Sequence, residues 1–118
     1  MINEENKKEQ FLHNPIPVRL AGIAADLART ASLARSLDGT ESVLALLDEC
    51  QDYIEWTAAE LAPDVAAELA DIQRGIAAWR KTWQEESHNS AVRTVLTITA
   101  KKWSNQILGY SRLLDDSQ

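Results

Sequence analysis

Apolar residues recur along this chain at alternating steps of four and three positions. Val43, Leu47, Cys50, Ile54, Thr57 and Leu61 form one such series. Val65, Leu69, Ile72, Ile76, Trp79 and Trp83 form a second, and Val92, Leu96, Thr99, Trp103, Ile107, Tyr110 and Leu114 a third. A helix turns once every 3.6 residues, so this stepping lines each series along one helical face. An earlier stretch places Leu20, Ile23, Ala24, Leu27, Ala31 and Ala34 on one face as well. Its alanines let a neighbouring helix approach closely.

The polar and breaker residues divide these stretches. Asn14-Pro15-Ile16-Pro17 stops any helix arriving from the N-terminus. Asp38-Gly39-Thr40 reads as a compact turn, with Gly39 suited to a left-handed C-terminal position. Thr40 or Ser42 then caps the next helix, and Glu41 sits at the favourable end of its dipole. Pro63 and Asp64 open another helix, and Ser87-His88-Asn89-Ser90 offers two N-caps for the last. The pattern predicts helices over 17–37, 41–62, 63–86 and 90–114. Residues 1–16 are expected to be a flexible N-terminal arm, with room for a short helix ending near Phe11-Leu12, and 115–118 a tail. Links this short force antiparallel neighbours. The expected fold is all-α: a single-domain, antiparallel up-down-up-down four-helix bundle over 17–114. The rival is a pair of long helical hairpins that completes its core only in a dimer.

The 118 residues suffice for one core without covalent staples. The lone Cys50 rules out an internal disulfide framework. No apolar run reaches the roughly 18 residues of a membrane span, and the polar first ten residues do not resemble a secretory signal. A cytoplasmic location and no membrane partner are therefore expected. A net charge of −6 argues against nucleic acid, whose phosphates need a basic footprint.

That average hides an uneven distribution. The segment from Thr40 to Ala62 carries Glu41, Asp48, Glu49, Asp52, Glu55 and Glu60 with no Lys or Arg. The segment from Asn89 to Leu114 carries Arg93, Lys101, Lys102 and Arg112 with no acid. Either the acidic helix packs beside basic ones, or a basic face is left for an acidic partner.

Four Trp stand against one Phe. Trp79, Trp83 and Trp103 lie on the apolar faces, with Arg80 about 40° away, taking 100° per residue. They fill volume where helices meet, or line a pocket for a flat ligand. Trp56 lies about 120° from the centre of its helix's apolar face, among acids. It either anchors an interface or is covered by Phe11 and Leu12 of the arm. Leu33, Leu44, Ile98 and Leu108 also fall off the apolar faces and join Trp56 as candidate interface residues.

Catalytic and metal chemistry find little support. Cys50 lies on an apolar face with no histidine near it in sequence, as a small buried hydrophobe would. A di-iron bundle needs two Glu-x-x-His pairs, and Glu85 with His88 is a single one at a helix end. Glycine-rich phosphate loops and nucleophile elbows are absent from the sequence. Phe11-Leu12-His13, followed by Pro17, Leu20 and Gly22, faintly resembles the phosphoacceptor region of sensor histidine kinases. There the histidine lies within a helix, whereas Asn14-Pro15 follows His13 directly. Arg80 and His88 fail the spacing of the Arg-x4–6-His helical nucleases. No catalytic residue, metal ligand or cofactor is expected.

One resemblance reaches further. Arg19-Leu20-Ala21-Gly22-Ile23-Ala24, Tyr53-Ile54-Glu55-Trp56-Thr57-Ala58, Ile72-Gln73, Ala78-Trp79-Arg80 and Trp83 together resemble a group of small all-helical cyanobacterial proteins of uncharacterised function. The resemblance covers residues 17–84 and rests on core positions. It implies the helical fold and a bacterial cytoplasm, and carries over no activity and no functional residue.

The expected function is a non-enzymatic interaction module that self-associates, for instance as a homodimer, or adapts another protein. The alternative is a small-ligand sensor with a pocket between the Trp-bearing helices, lined by Trp79, Arg80, Trp83 and Trp103.

Overall fold

A computed structural model describes residues 4–116. The expected positions 1–3 of the arm and 117–118 of the tail lie outside the described residues. Five helices account for nearly all of the rest: α1 (Glu4–His13), α2 (Ile16–Leu33), α3 (Thr40–Ala58), α4 (Pro63–Glu86) and α5 (Ser90–Asp116), with a 3₁₀ turn at Leu37–Gly39. They form one unit of 43 × 34 × 19 Å. The four expected helices are present, and a fifth, α1, occupies the segment expected to be a flexible arm. The Asn14-Pro15 break separates α1 from α2 as anticipated.

Side-chain contacts give the direction of each neighbour. Gln73 reaches the Gln51 carbonyl, Arg80 pairs with Asp48, and the Trp83 indole donates to the Thr40 carbonyl, so α3 and α4 run antiparallel. Ser104 donates to the Ala24 carbonyl at 2.6 Å and Ser111 to the Pro17 carbonyl at 2.7 Å, so α2 and α5 are antiparallel too. A serine hydroxyl on the backbone of the facing helix requires a close approach. Ala24 and Ala31 on α2 and Ala34 just past its end, all buried, permit it, and Ala100 answers them from α5.

This contact redefines the inner face of α5. Leu96 and Ile107 are buried as the apolar pattern predicts, whereas Thr99, Trp103 and Tyr110 are not fully buried. The fully inward positions between them are Ala100, Ser104 and Ser111. Of the α3 series, Val43, Leu47, Cys50, Ile54 and Thr57 are buried, whereas Leu61 is half-buried and lies beyond the helix end at Ala58. On α4, Leu69, Ile72, Ile76 and Trp83 are buried.

The helix ends differ in detail from expectation. Helix α2 stops at Leu33, and α3 begins at Thr40 with no side-chain cap. Gly39 is not left-handed; its φ is −89°. Glycine is needed there because a Cβ would overlap the Leu33 carbonyl oxygen. Asn89 caps α5, its Oδ1 accepting from the backbone of Ala91 and Val92.

Candidate functional site

The α2–α3 seam carries a polar cluster that an apolar core would not need. Asp26 of α2 is only 7% exposed. Its carboxyl faces that of Glu49 on α3 within hydrogen-bonding reach, and its Oδ2 is buried without a donor. Two apposed carboxylates repel, so the pair is satisfied only when one holds a proton. Burial is the main force pushing Asp26 up to about 8, and the hydrogen bond and charge of Glu49 add to it. Arg29, 4.0 Å away, and Lys7 pull weakly in the other direction. The Glu49 carboxylate is held below its ordinary range, first by the hydrogen bond from Asp26 and then by Lys7 and Tyr53, against its own burial. Near neutral pH, Asp26 is therefore the protonated donor and Glu49 the ionised acceptor. Although it belongs to the acid-rich segment from Thr40 to Ala62, Glu49 is half-buried against α2.

Helix α1 closes over this cluster. Lys7 Nζ lies 2.6 Å from Glu49 Oε1 and 5.5 Å from the centre of the Tyr53 ring. Phe11 stacks on Tyr53 with ring centres 4.0 Å apart and planes 4° from parallel, and touches Trp56 at 6.0 Å. Lys8 Nζ sits 5.9 Å over the Trp56 ring. Arg19 fixes the α1–α2 link: Nε donates to the Asn14 carbonyl at 2.8 Å and Nη2 to the Leu12 carbonyl at 2.9 Å. Its Nη1 pairs with Glu60 at 2.6 Å.

Cys50 beneath the cluster is fully buried, and burial pushes its thiol well above the ordinary range, which makes it unreactive. Among the described residues, no three His, Cys, Asp or Glu side chains gather as a metal site requires. A cleft of 360 Å³ between α2 and α3, lined by Arg29, Leu33, Ser42, Ala45, Leu46 and Glu49, opens beside the pair.

The opposite side of α2 meets α5 in a groove of another character. At one end a cleft of 350 Å³ is lined by Arg35, Ser90, Arg93, Thr94, Thr97 and Ile98. At the other, a cleft of 230 Å³ is lined by Pro17, Val18, Ala21, Ser111, Arg112 and Asp115. Val18 is 51% and Ile98 64% exposed. The space beyond Gly22 is open. Lys101 and Arg112 are exposed and, among the described residues, make no ion pair. Arg93 is already committed to the Ser87 and His88 carbonyls.

Of the expected interface residues, Ile98 alone is exposed. Trp56, Leu33, Leu44 and Leu108 are half-buried against the core. Trp56 meets Phe11, the arm contact that was the alternative to an interface. Trp83 is fully buried and hydrogen-bonded to Thr40, and Trp79 is half-buried against the core. Arg80 pairs with Asp48 at 2.5 Å, an ion pair rather than an aligned hydrogen bond. Trp103 lies over Gly75, where a Cβ would come within 2.6 Å of the indole. Asp26 and Glu49 were missed because, at 100° per residue, Asp26 lies about 100° from Leu27, off the apolar face of α2, and the pairing joins two helices.

No family model, curated protein or solved structure matches the chain. Among the described residues no helix is long and apolar enough to cross a membrane.

Proposed function

We propose that this chain is a non-enzymatic, cytoplasmic interaction module that docks an acidic, amphipathic helix of a partner protein in the α2–α5 groove. In this reading α2–α5 act as an antiparallel four-helix bundle with α1 added to its side. The carrying observation is exposed Ile98 at one end of the α2–α5 seam and exposed Val18 with Arg112 at the other, with exposed Lys101 on α5 between them in sequence. Exposed aliphatics rimmed by one sign of charge suit an amphipathic partner of the opposite sign. The small side chains of Ala21, Gly22 and Ala25 on α2 leave room for a helix to lie close. Helix α5 carries no acid before Asp115 that would repel such a partner. The chain's own charge of −6 disfavours self-association through this groove less than it disfavours an anionic membrane, because α3 and α4 carry acids of their own.

The test is a titration of the ¹⁵N-labelled full chain with a synthetic Glu-rich peptide carrying Leu at helical spacing. Saturable shifts at Val18, Gly22, Ile98 and Lys101, weakening with salt, support the proposal. Shifts confined to other faces, or none at millimolar peptide, overturn it.

A further inference from the structure

A second surface of opposite chemistry lies under α1, and its case is independent of the α2–α5 groove. Helix α1 has ten residues, too few to be stable as an isolated helix. Phe11 is its one buried side chain among the described residues, and most of the others are exposed. The remaining core is built from α2–α5. Yet the few contacts of α1 are specific. Lys7 meets Glu49, and Phe11, one turn later on the same face, stacks on Tyr53 beside Trp56.

The face of α3 is thus a socket with an acidic end and an aromatic shelf. It reads a cation at one position and a ring four residues on. Asp26 lies at the acidic end, more than nine-tenths buried and facing Glu49. Lys7 fills the acidic end with an ammonium 2.6 Å from Glu49, a place that the Lys or Arg of an outside helix can take in its stead.

We propose that this socket is a docking site for a partner protein's helix that carries Arg or Lys with an aromatic residue four positions later, and that α1 is its resident intramolecular cover. The tether at Asn14-Pro15, gripped by Arg19, keeps α1 at high effective concentration over the socket. An outside helix therefore competes poorly until α1 is unseated.

The test uses the full chain carrying Lys7→Ala and Phe11→Ala together, which unseats α1. The probe is a synthetic peptide with the sequence of residues 1–14. Saturable shifts of the Trp56 indole N–H and the Tyr53 amide, at least tenfold tighter than in the wild type, support the proposal. They must vanish with a peptide in which both key positions are alanine. Absence of shifts in a variant that keeps its helicity overturns it, because α1 is then only a packing strut. Exchange of α1 between copies, read as a concentrated wild-type dimer by light scattering, replaces the partner with a second copy and overturns it as well. If the double variant unfolds, hydrogen exchange of the wild type decides. Exchange of α1 amides at least 100-fold faster than those around Ile54 supports a detachable cover, and equal protection overturns it.

Discussion

Replacing Asp26 with asparagine should stabilise the protein at alkaline pH and erase much of its pH dependence. In the native state Asp26 is buried, faces Glu49 and titrates at about 8; in the unfolded chain its ordinary value is 3.8. The folded protein therefore holds one more proton than the unfolded chain between those values. Stability must fall as pH rises across that window, by up to about 1.4 kcal/mol per pH unit. Glu49 acts with the opposite sign: its folded value lies below 4.5, so its contribution is present above that pH and lost as pH falls through the lower folded value. From pH 5 to 8 only the Asp26 contribution changes. Integrated over that window, the loss reaches about 4 kcal/mol, and water entering around a buried carboxylate trims it to roughly 2–4 kcal/mol. The amide that Asp26→Asn introduces donates to Glu49 as the protonated acid does, at every pH. Urea unfolding of both chains at half-unit steps from pH 5 to 9, monitored by circular dichroism, measures the difference. All other titrating groups are common to both chains. The stability advantage of the variant over wild type should grow by about 2–4 kcal/mol between pH 5 and pH 8. A variant less stable than wild type at pH 8, or a difference that does not change with pH, would refute the reasoning.

Further outcomes follow from single contacts. Arg19→Ala removes two donors from the α1–α2 link and the pair with Glu60, and should cost about 2–3 kcal/mol in urea unfolding, whereas Glu60→Gln, at the half-exposed end of the pair, should cost under about 1 kcal/mol. Gly39→Ala drives a Cβ against the Leu33 carbonyl and should cost about 1–3 kcal/mol by the same assay. Ser104→Leu wedges α2 and α5 apart and should destabilise by about 2 kcal/mol or more, while Ser104→Ala should cost about 1 kcal/mol. Cys50 should resist a thiol reagent in the native state and react at the unfolding rate or slower, as read by absorbance against a denatured control.

Much of the fold was legible because helical periodicity reports burial directly. All six positions expected to face inward on α2 and just beyond its end do so, and Pro63 opens α4 where its fixed φ suits the first turn. The inner face of α5 was misplaced because its buried positions include Ala100, Ser104 and Ser111, whose hydrophobic signal is weak or absent. They are inward for a different reason: small side chains allow contact with the alanine face of α2, and the hydroxyls find backbone acceptors there. Helix α1 was legible only as a short helix within a flexible arm, because its composition is polar and its stability comes from tertiary contacts with α3. Once α1 is in place, Trp56 ceases to be a free rim aromatic and becomes part of a covered socket. The Asp26–Glu49 pair joins two helices, and no pattern within one helix reveals it.

The docking role of the α2–α5 groove is tested most directly by affinity capture from native-host lysate with two baits, the wild-type chain and Ile98→Glu combined with Lys101→Glu. Both positions are exposed, so the variant should fold as the wild type does. The account predicts a protein with an acidic amphipathic segment that is retained by the wild type, released by salt and lost from the variant. Recovery of the same proteins on both baits, or of the untagged chain alone, would contradict it.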